Sequence, residues 1–188
     1  MKIVLATASP YRRDIFKTLG IPFITEASNV DESVLVRDNP EKLVLELAQM
    51  KAEAVAKNYT EAVVIGFDSV GFFNGKVLEK PATKEEAFKR LRSLSAQKHY
   101  HYTGTYMINT SSKKTLSRIS KTEIFMRNYS DEEIREYLKQ DSPFNTFALG
   151  YDTEKHISSS FIKEIKGNHL NLKGIPTCDV MEMLEEIR

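Results

Sequence analysis

The run Ala62-Val63-Val64-Ile65-Gly66-Phe67 constrains the fold more than any other stretch of the chain. It is uncharged and rich in β-branched side chains, as in a strand covered on both faces, and such strands sit inside α/β sheets. The run ends in Asp68-Ser69, which places a carboxylate where these folds keep functional groups. A shorter apolar run, Ile3-Val4-Leu5-Ala6, gives way in the same manner to Thr7-Ala8-Ser9-Pro10-Tyr11-Arg12-Arg13. Ser9 and Pro10 suit the cap and first turn of a helix closed by Gly20, with Tyr11, Ile15 and Leu19 on one face. Two adjacent guanidiniums at that helix mouth repel each other unless something negative lies near.

Strands and helices alternate along the rest of the chain. Residues 21–24 read as strand and 28–33 as polar loop. Asn39-Pro40 opens a helix with Val44, Leu47, Ala48, Ala54 and Val55 on one stripe. Lys51 falls on that same stripe, where an ammonium is unexpected unless it snorkels. Asn74-Gly75 predicts a hairpin turn, and Thr83 with Glu86 a capping box for a helix ending near Leu94. Residues 102–109 and 117–126 read as strands around the polar turn 110–114. Ser130 and Glu133 form a second box, with Ile134, Tyr137 and Leu138 inward. Strands near 147–150 and 160–165 and a helix from about Cys178 complete the pattern. With no repeat or linker, the expectation is one domain over 1–188, α/β or α+β with a mixed sheet and flanking helices, of which α/β is taken.

Composition removes several function classes. A formal net charge of +1 over 188 residues lacks the basic excess of a nucleic-acid binder, and no RNP-type aromatic pair is present. The single Cys178 excludes an internal disulfide and a cysteine zinc cage, which points to a reducing compartment. The apolar run after Met1-Lys2 is too short for a signal peptide, and no segment reaches the length of a membrane span, so a cytoplasmic location is expected. His99 and His101 share a strand face without a third ligand. Gly71-Phe72-Phe73-Asn74-Gly75-Lys76-Val77 imitates a P-loop with a residue missing and Val77 where a hydroxyl should hold magnesium.

What remains has one theme. Ser9, Arg12 and Arg13 sit at a helix start, where free N–H groups and the helix dipole favour an anion, and arginine forks suit phosphate. Lys51 and Lys80 add single positive charges. Asp68, Asp31 and Glu32 offer oxygens for a hard cation or an activated water. Singly, such residues are more often solvated charges or turn formers. As a set they describe hydrolysis of a phosphoanhydride, with the substrate left open.

In order and spacing, these segments resemble the Maf family: the stretch from Leu5 to Arg13, Asp31-Glu32, Leu47-Ala48-Gln49-Met50-Lys51-Ala52, Gly66-Phe67-Asp68-Ser69-Val70, Glu79-Lys80-Pro81, Thr103-Gly104 and Gly174-Ile175-Pro176. The resemblance spans nearly the whole chain. It implies a cytoplasmic nucleoside triphosphate pyrophosphatase that releases a nucleoside monophosphate and pyrophosphate. It also implies a fold similar to inosine triphosphatase with two lobes around a cleft, dependence on Mg²⁺ or Mn²⁺, and a homodimer. Position by position, it makes Asp68 the proton acceptor, Ser9, Arg12, Lys51 and Lys80 the phosphate grip, and Glu32 an acid that helps to hold the metal with Asp68; Arg13 is read as substrate-binding from its place at the helix start. The specificity positions fall at Tyr11, Ser69 and Glu154, with Lys155 the alternative for the third. Tyr11 and Glu154 favour the branch acting on 7-methyl-GTP, because an aromatic face attracts a cationic methylated guanine and an acid accepts from its N–H groups. Ser69 matches neither that branch nor the dTTP/UTP branch, which remains the alternative. A nucleotide-binding regulator of septum formation without efficient catalysis is the rival from another class.

Overall fold

The computed structural model describes residues 1–78, 80–140, 144–147 and 149–188, Val34 by its backbone alone. In chain order its elements are β1 (Lys2–Ala6), α1 (Pro10–Lys17), β2 (Ile24–Glu26), α2 (Pro40–Ala56), β3 (Ala62–Phe73), β4 (Lys76–Leu78), α3 (Lys84–Leu94), β5 (Lys98–Asn109), β6 (Thr115–Met126), α4 (Asp131–Lys139), β7 (Ile162–Lys166) and α5 (Thr177–Glu186). The strands order as β2-β1-β3-β5-β6-β7, with β4 beside β3. The sheet is mixed, as alternating strands and helices predict: β1 runs parallel to β2 and β3, whereas β3–β4 and β6–β7 are antiparallel. No described helix is long and apolar enough to cross a membrane. The chain forms two compact units, residues 1–69, 102–121 and 168–188, and residues 70–101 and 122–167.

In the first unit the period of two along each strand sorts the core into two layers. Ile3 and Leu5 of β1 and Val63, Ile65 and Phe67 of β3 pack with Phe16, Met107, Val180 and Met183, the face covered by α1 and α5. Val4, Ala6, Ala62 and Val64 point the other way, onto Ala48, Ala52 and Val55 of α2. Helix α2 lies unusually close to the sheet because two strand positions carry no side chain. A Cβ on Gly66 would sit 2.0 Å from the Ala48 carbonyl oxygen, and one on Gly104 would sit 2.3 Å from that of Val44.

The second unit is built around aromatic hydroxyls. Tyr129 stacks on Phe161 with ring centroids 4.2 Å apart and donates to the Leu91 carbonyl at 2.6 Å. His99, fully buried, pairs through Nε2 with the Tyr151 hydroxyl at 2.9 Å. Ser130 and Glu133 form the reciprocal box expected at the start of α4, and Ile134, Tyr137 and Leu138 are buried as predicted. Gly71 to Val77 is the β3–β4 hairpin, turning through Asn74 (φ 48°) and Gly75 (φ 76°).

Several local expectations are corrected. The strand read at 21–24 begins at Ile24, consistent with Pro22 having no N–H for a ladder. The segment read at 147–150 is turn and bend at residues 147, 149 and 150, closed by Gly150 N–H donating to the Phe147 carbonyl at 3.0 Å; Ala148 lies outside the described residues. The strand read from 160 starts at Ile162, because Ile157–Phe161 forms a 3₁₀ turn in which Ser159 and Ser160 donate to carbonyls three residues back. Part of the 28–33 loop is ordered, with Asp31 capping a 3₁₀ turn over Glu32–Val34. Thr83 caps α3, but the Glu86 carboxylate bonds the Ala82 amide, so the box is not closed on Thr83. In α1, which ends at Lys17, the fully buried residue is Phe16; Ile15 is only partly covered, as is Leu19 just past the helix.

Candidate active site

Strand parity decides what surrounds the end of β3. Asp68 continues the face of Ala62, Val64 and Gly66, so it points at α2; Ser69 continues the opposite face. On α2, Lys51 follows Ala48 by three residues, and its Nζ lies 2.7 Å from Asp68 Oδ1. The same Nζ lies 2.9 Å from Glu32 Oε1. The lysine does not snorkel: its side chain is 11% exposed, and one ammonium bridges two carboxylates from separate elements. Asp31 does not join them. Its Oδ1 accepts from the Ser33 amide at 3.0 Å and hydroxyl at 2.6 Å, which leaves Glu32 as the acid facing Lys51.

Arg12 approaches from the other face of the sheet. Ser9 caps α1 as predicted, its hydroxyl accepting from the Arg12 amide at 3.4 Å. The Arg12 guanidinium is held at three points: Nε donates to the Gly174 carbonyl at 3.3 Å, Nη1 to the Phe67 carbonyl at 3.0 Å and Nη2 to Ser69 Oγ at 3.1 Å. Ser69 Oγ in turn lies 2.9 Å from Thr103 Oγ1. A guanidinium carries five N–H groups, so two remain without a protein partner among the described residues. The opening puzzle of two neighbouring arginines resolves by divergence, since consecutive helix residues do not face each other. Arg13 points outward, half-exposed, with Nε 3.7 Å from Asp14.

Burial sets the electrostatics. It raises the Asp68 pKa above the ordinary carboxylate value, while Lys51 and Arg12 pull it back down. It lowers the Arg12 pKa, against the attraction of Asp68 and Glu32. Two cations and two carboxylates are thus gathered with no net charge, and the aspartate is poised nearer neutral pH than a solvated one.

The first unit therefore brings together Ser9, Arg12, Glu32, Lys51, Asp68 and Ser69. Tyr11 is half-buried on α1 in the same unit. Lys80, Glu154 and Lys155 belong to the second unit, where all three are exposed; Glu79 lies outside the described residues. The Glu154 and Lys155 amides both donate to Asp152 Oδ1, at 2.9 and 3.1 Å. His99 and His101 are buried in that unit's core, and no group of three metal-ligating side chains occurs among the described residues. Sequence reasoning missed the anchors of Arg12: two are backbone carbonyls, which carry no residue signature, and the third, Ser69, was read only as a specificity position.

Known proteins resemble this chain along its whole length. It is 38% identical over 185 residues to a dTTP/UTP pyrophosphatase of Pelotomaculum thermopropionicum, covering 98% of this chain and 96% of that one. A nucleoside triphosphate pyrophosphatase of Synechococcus is 37% identical, with 98% and 93% covered. A 7-methyl-GTP pyrophosphatase of Nitrosococcus oceani is 32% identical, with 98% and 92% covered. In fold the chain is similar to the Ham1 protein of Staphylococcus aureus, with a TM-score of 0.50, 15% identity and both chains fully covered. A family model described as Maf-like protein matches residues 2–187, and the residues it spans include every member of the Asp68 cluster: the chain belongs to the Maf family.

Proposed function

We infer that this Maf-family chain is a nucleoside triphosphate pyrophosphatase that cuts its substrate between the α and β phosphates, with Asp68 as general base. The observation that carries this reading is the bridge Asp68–Lys51–Glu32 beside the anchored guanidinium of Arg12. The names of the relatives at 37% and 38% identity support it.

Asp68 has Lys51 as its one hydrogen-bond partner among the described residues, through Oδ1, which leaves Oδ2 to take a proton from an attacking water. Its raised pKa makes it a stronger base than a solvated carboxylate, and Lys51 holds it in one orientation. Arg12 offers its two remaining N–H groups to phosphate oxygens, where a rigid fork stabilises charge developing on departing pyrophosphate.

The donor set fits a divalent cation. Asp68 and Glu32 converge on one point now held by an ammonium, and a hard cation shared with substrate phosphates commonly takes one or two protein carboxylates. The cluster's zero net charge also leaves a polyanionic substrate needing further positive charge. Asp68 and Glu32 would hold Mg²⁺ or Mn²⁺, which supplies charge neutralisation of the phosphates. Lys80 is proposed as a further phosphate ligand.

For the base, Tyr11 supports 7-methyl-GTP, since an aromatic face attracts a delocalised cation. The relative at 38% identity carries the second reading, dTTP or UTP. Purified protein assayed for pyrophosphate release with Mg²⁺ or Mn²⁺ against 7-methyl-GTP, dTTP, UTP and CTP tests both. Preference for 7-methyl-GTP is expected; preference for dTTP would move the chain to the second reading. Binding without release would make it a nucleotide sensor and end the enzymatic one.

A further inference from the structure

We propose that Thr103 is a positioning residue for the Arg12 guanidinium, acting through Ser69, so that Ser69 serves the phosphate grip. The inference rests on the reading of Arg12 as a phosphate ligand. Thr103 lies on β5, fully buried, on the sheet face of Met107 and therefore on the side of Ser69. Its Oγ1 is 2.9 Å from Ser69 Oγ, which also accepts from Arg12 Nη2 at 3.1 Å. A serine hydroxyl has one hydrogen and two lone pairs. With one lone pair taken by arginine, the bond to Thr103 fixes the remaining torsion of the hydroxyl.

Of the three acceptors around Arg12, two are main-chain carbonyls that a substitution cannot delete. Among the described residues Ser69 is the one side-chain acceptor, so the fork's direction depends on it and on what orients it. The opposite wall is Gly174, with φ +77°, where a Cβ would lie 2.9 Å from Arg12 Nε and 3.0 Å from Ser69 Oγ. The main chain there comes close enough to fix Nε, and the hydroxyl pair fixes Nη2. Together with Phe67 they set the plane of the fork, and so the direction of its two free N–H groups.

The test compares Thr103→Val, which keeps the shape and removes the hydroxyl, with Thr103→Ser, Ser69→Ala and the double variant Thr103→Val/Ser69→Ala. Two nucleoside triphosphates with different bases are used as substrates, and inorganic triphosphate is titrated calorimetrically. Loss of one buried hydrogen bond predicts a fall of about fivefold to tenfold in kcat/KM for Thr103→Val. The fall should be the same for both bases, with matching weakening of inorganic triphosphate binding. Thr103→Ser should recover most of it, and the double variant should be no worse than Ser69→Ala, because both act on one fork. The thermal midpoint guards against a general loss of structure. The proposal is overturned if Thr103→Val matches wild type, if the ratio between bases changes in Thr103→Val, if the two losses multiply, or if wild type fails to bind inorganic triphosphate. A wild type that binds inorganic triphosphate but cleaves no nucleotide refutes the hydrolytic reading instead, and the titration arm then still decides the role of Thr103.

Discussion

Among the described residues each unit buries one aspartate, and the two are satisfied in opposite ways. Asp152, in the second unit, accepts from the amides of Glu154 and Lys155, two and three residues along the chain. Those donors are local, so the carboxylate organises its own turn. Asp68, in the first unit, has Lys51 as its described hydrogen-bond partner, a side chain brought by another element, and burial raises its pKa. A carboxylate satisfied by its own backbone is architecture. One held by a single distant cation has lone pairs to spare and a raised affinity for protons, which is what a general base needs.

The contrast breaks most directly at Asp68. Asp68→Asn should lower turnover by ~10²–10⁴-fold while nucleotide binding persists, measured by pyrophosphate release and calorimetry. Near-normal turnover would remove it from the chemistry. Because its pKa is raised, the acid limb of kcat/KM should lie above the ordinary carboxylate value of about 4. The sign for stability follows: the folded state holds the proton more tightly, so Asp68 disfavours folding as pH rises through its raised pKa. The asparagine variant should therefore be no less stable than wild type at neutral pH.

Lys51→Met strands that buried carboxylate and should cost about 3–5 kcal/mol of unfolding free energy at neutral pH, read by denaturant titration. The loss should shrink on acidification as Asp68 takes up a proton. A pH-independent loss would mean that packing, not charge, was removed.

The second unit should respond to acid in the opposite sense. Burial lowers the His99 pKa to about 4, so its neutral form is favoured in the folded state. The stabilisation is complete above the unfolded value near 6.5 and disappears as pH falls towards 4, on the order of 3 kcal/mol at about 1.4 kcal/mol per pK unit. Denaturant midpoints of wild type and His99→Gln between pH 7 and pH 4.5 check this; parallel curves would contradict it. The smallest effect expected is from Asp152→Ala. Loss of its two amide bonds should cost about 1–3 kcal/mol of stability, measured as a lower thermal midpoint.

Much of this was legible in the chain. The uncharged run at 62–67 identified the central strand, and the cap residues Ser9, Asn39, Thr83 and Ser130 marked four helix starts where the structure has them. These signals are local, since a cap or an apolar period acts within a few residues. Local chemistry also explains where the reading slipped: Pro22 delays β2, and the serines at 158–160 bend into a 3₁₀ turn before β7. Lys51 was visible as a charge on an apolar stripe, but its partners were not, because Asp68 and Glu32 lie 17 and 19 residues away on other elements.

By itself the sequence determined the order of elements, the two-faced central strand and the roster of charged residues at strand and helix ends, because these depend on periodicity and capping. Only the tertiary structure decided how that roster is divided. Gly66 and Gly104 let α2 settle on the sheet and bring Lys51 to Asp68, while strand parity turns Ser69 to the opposite face, towards Arg12 and Thr103. Which charge meets which depends on the distance and face at which distant elements pack, and contacts of that kind leave no mark in the spacing of residues along one chain.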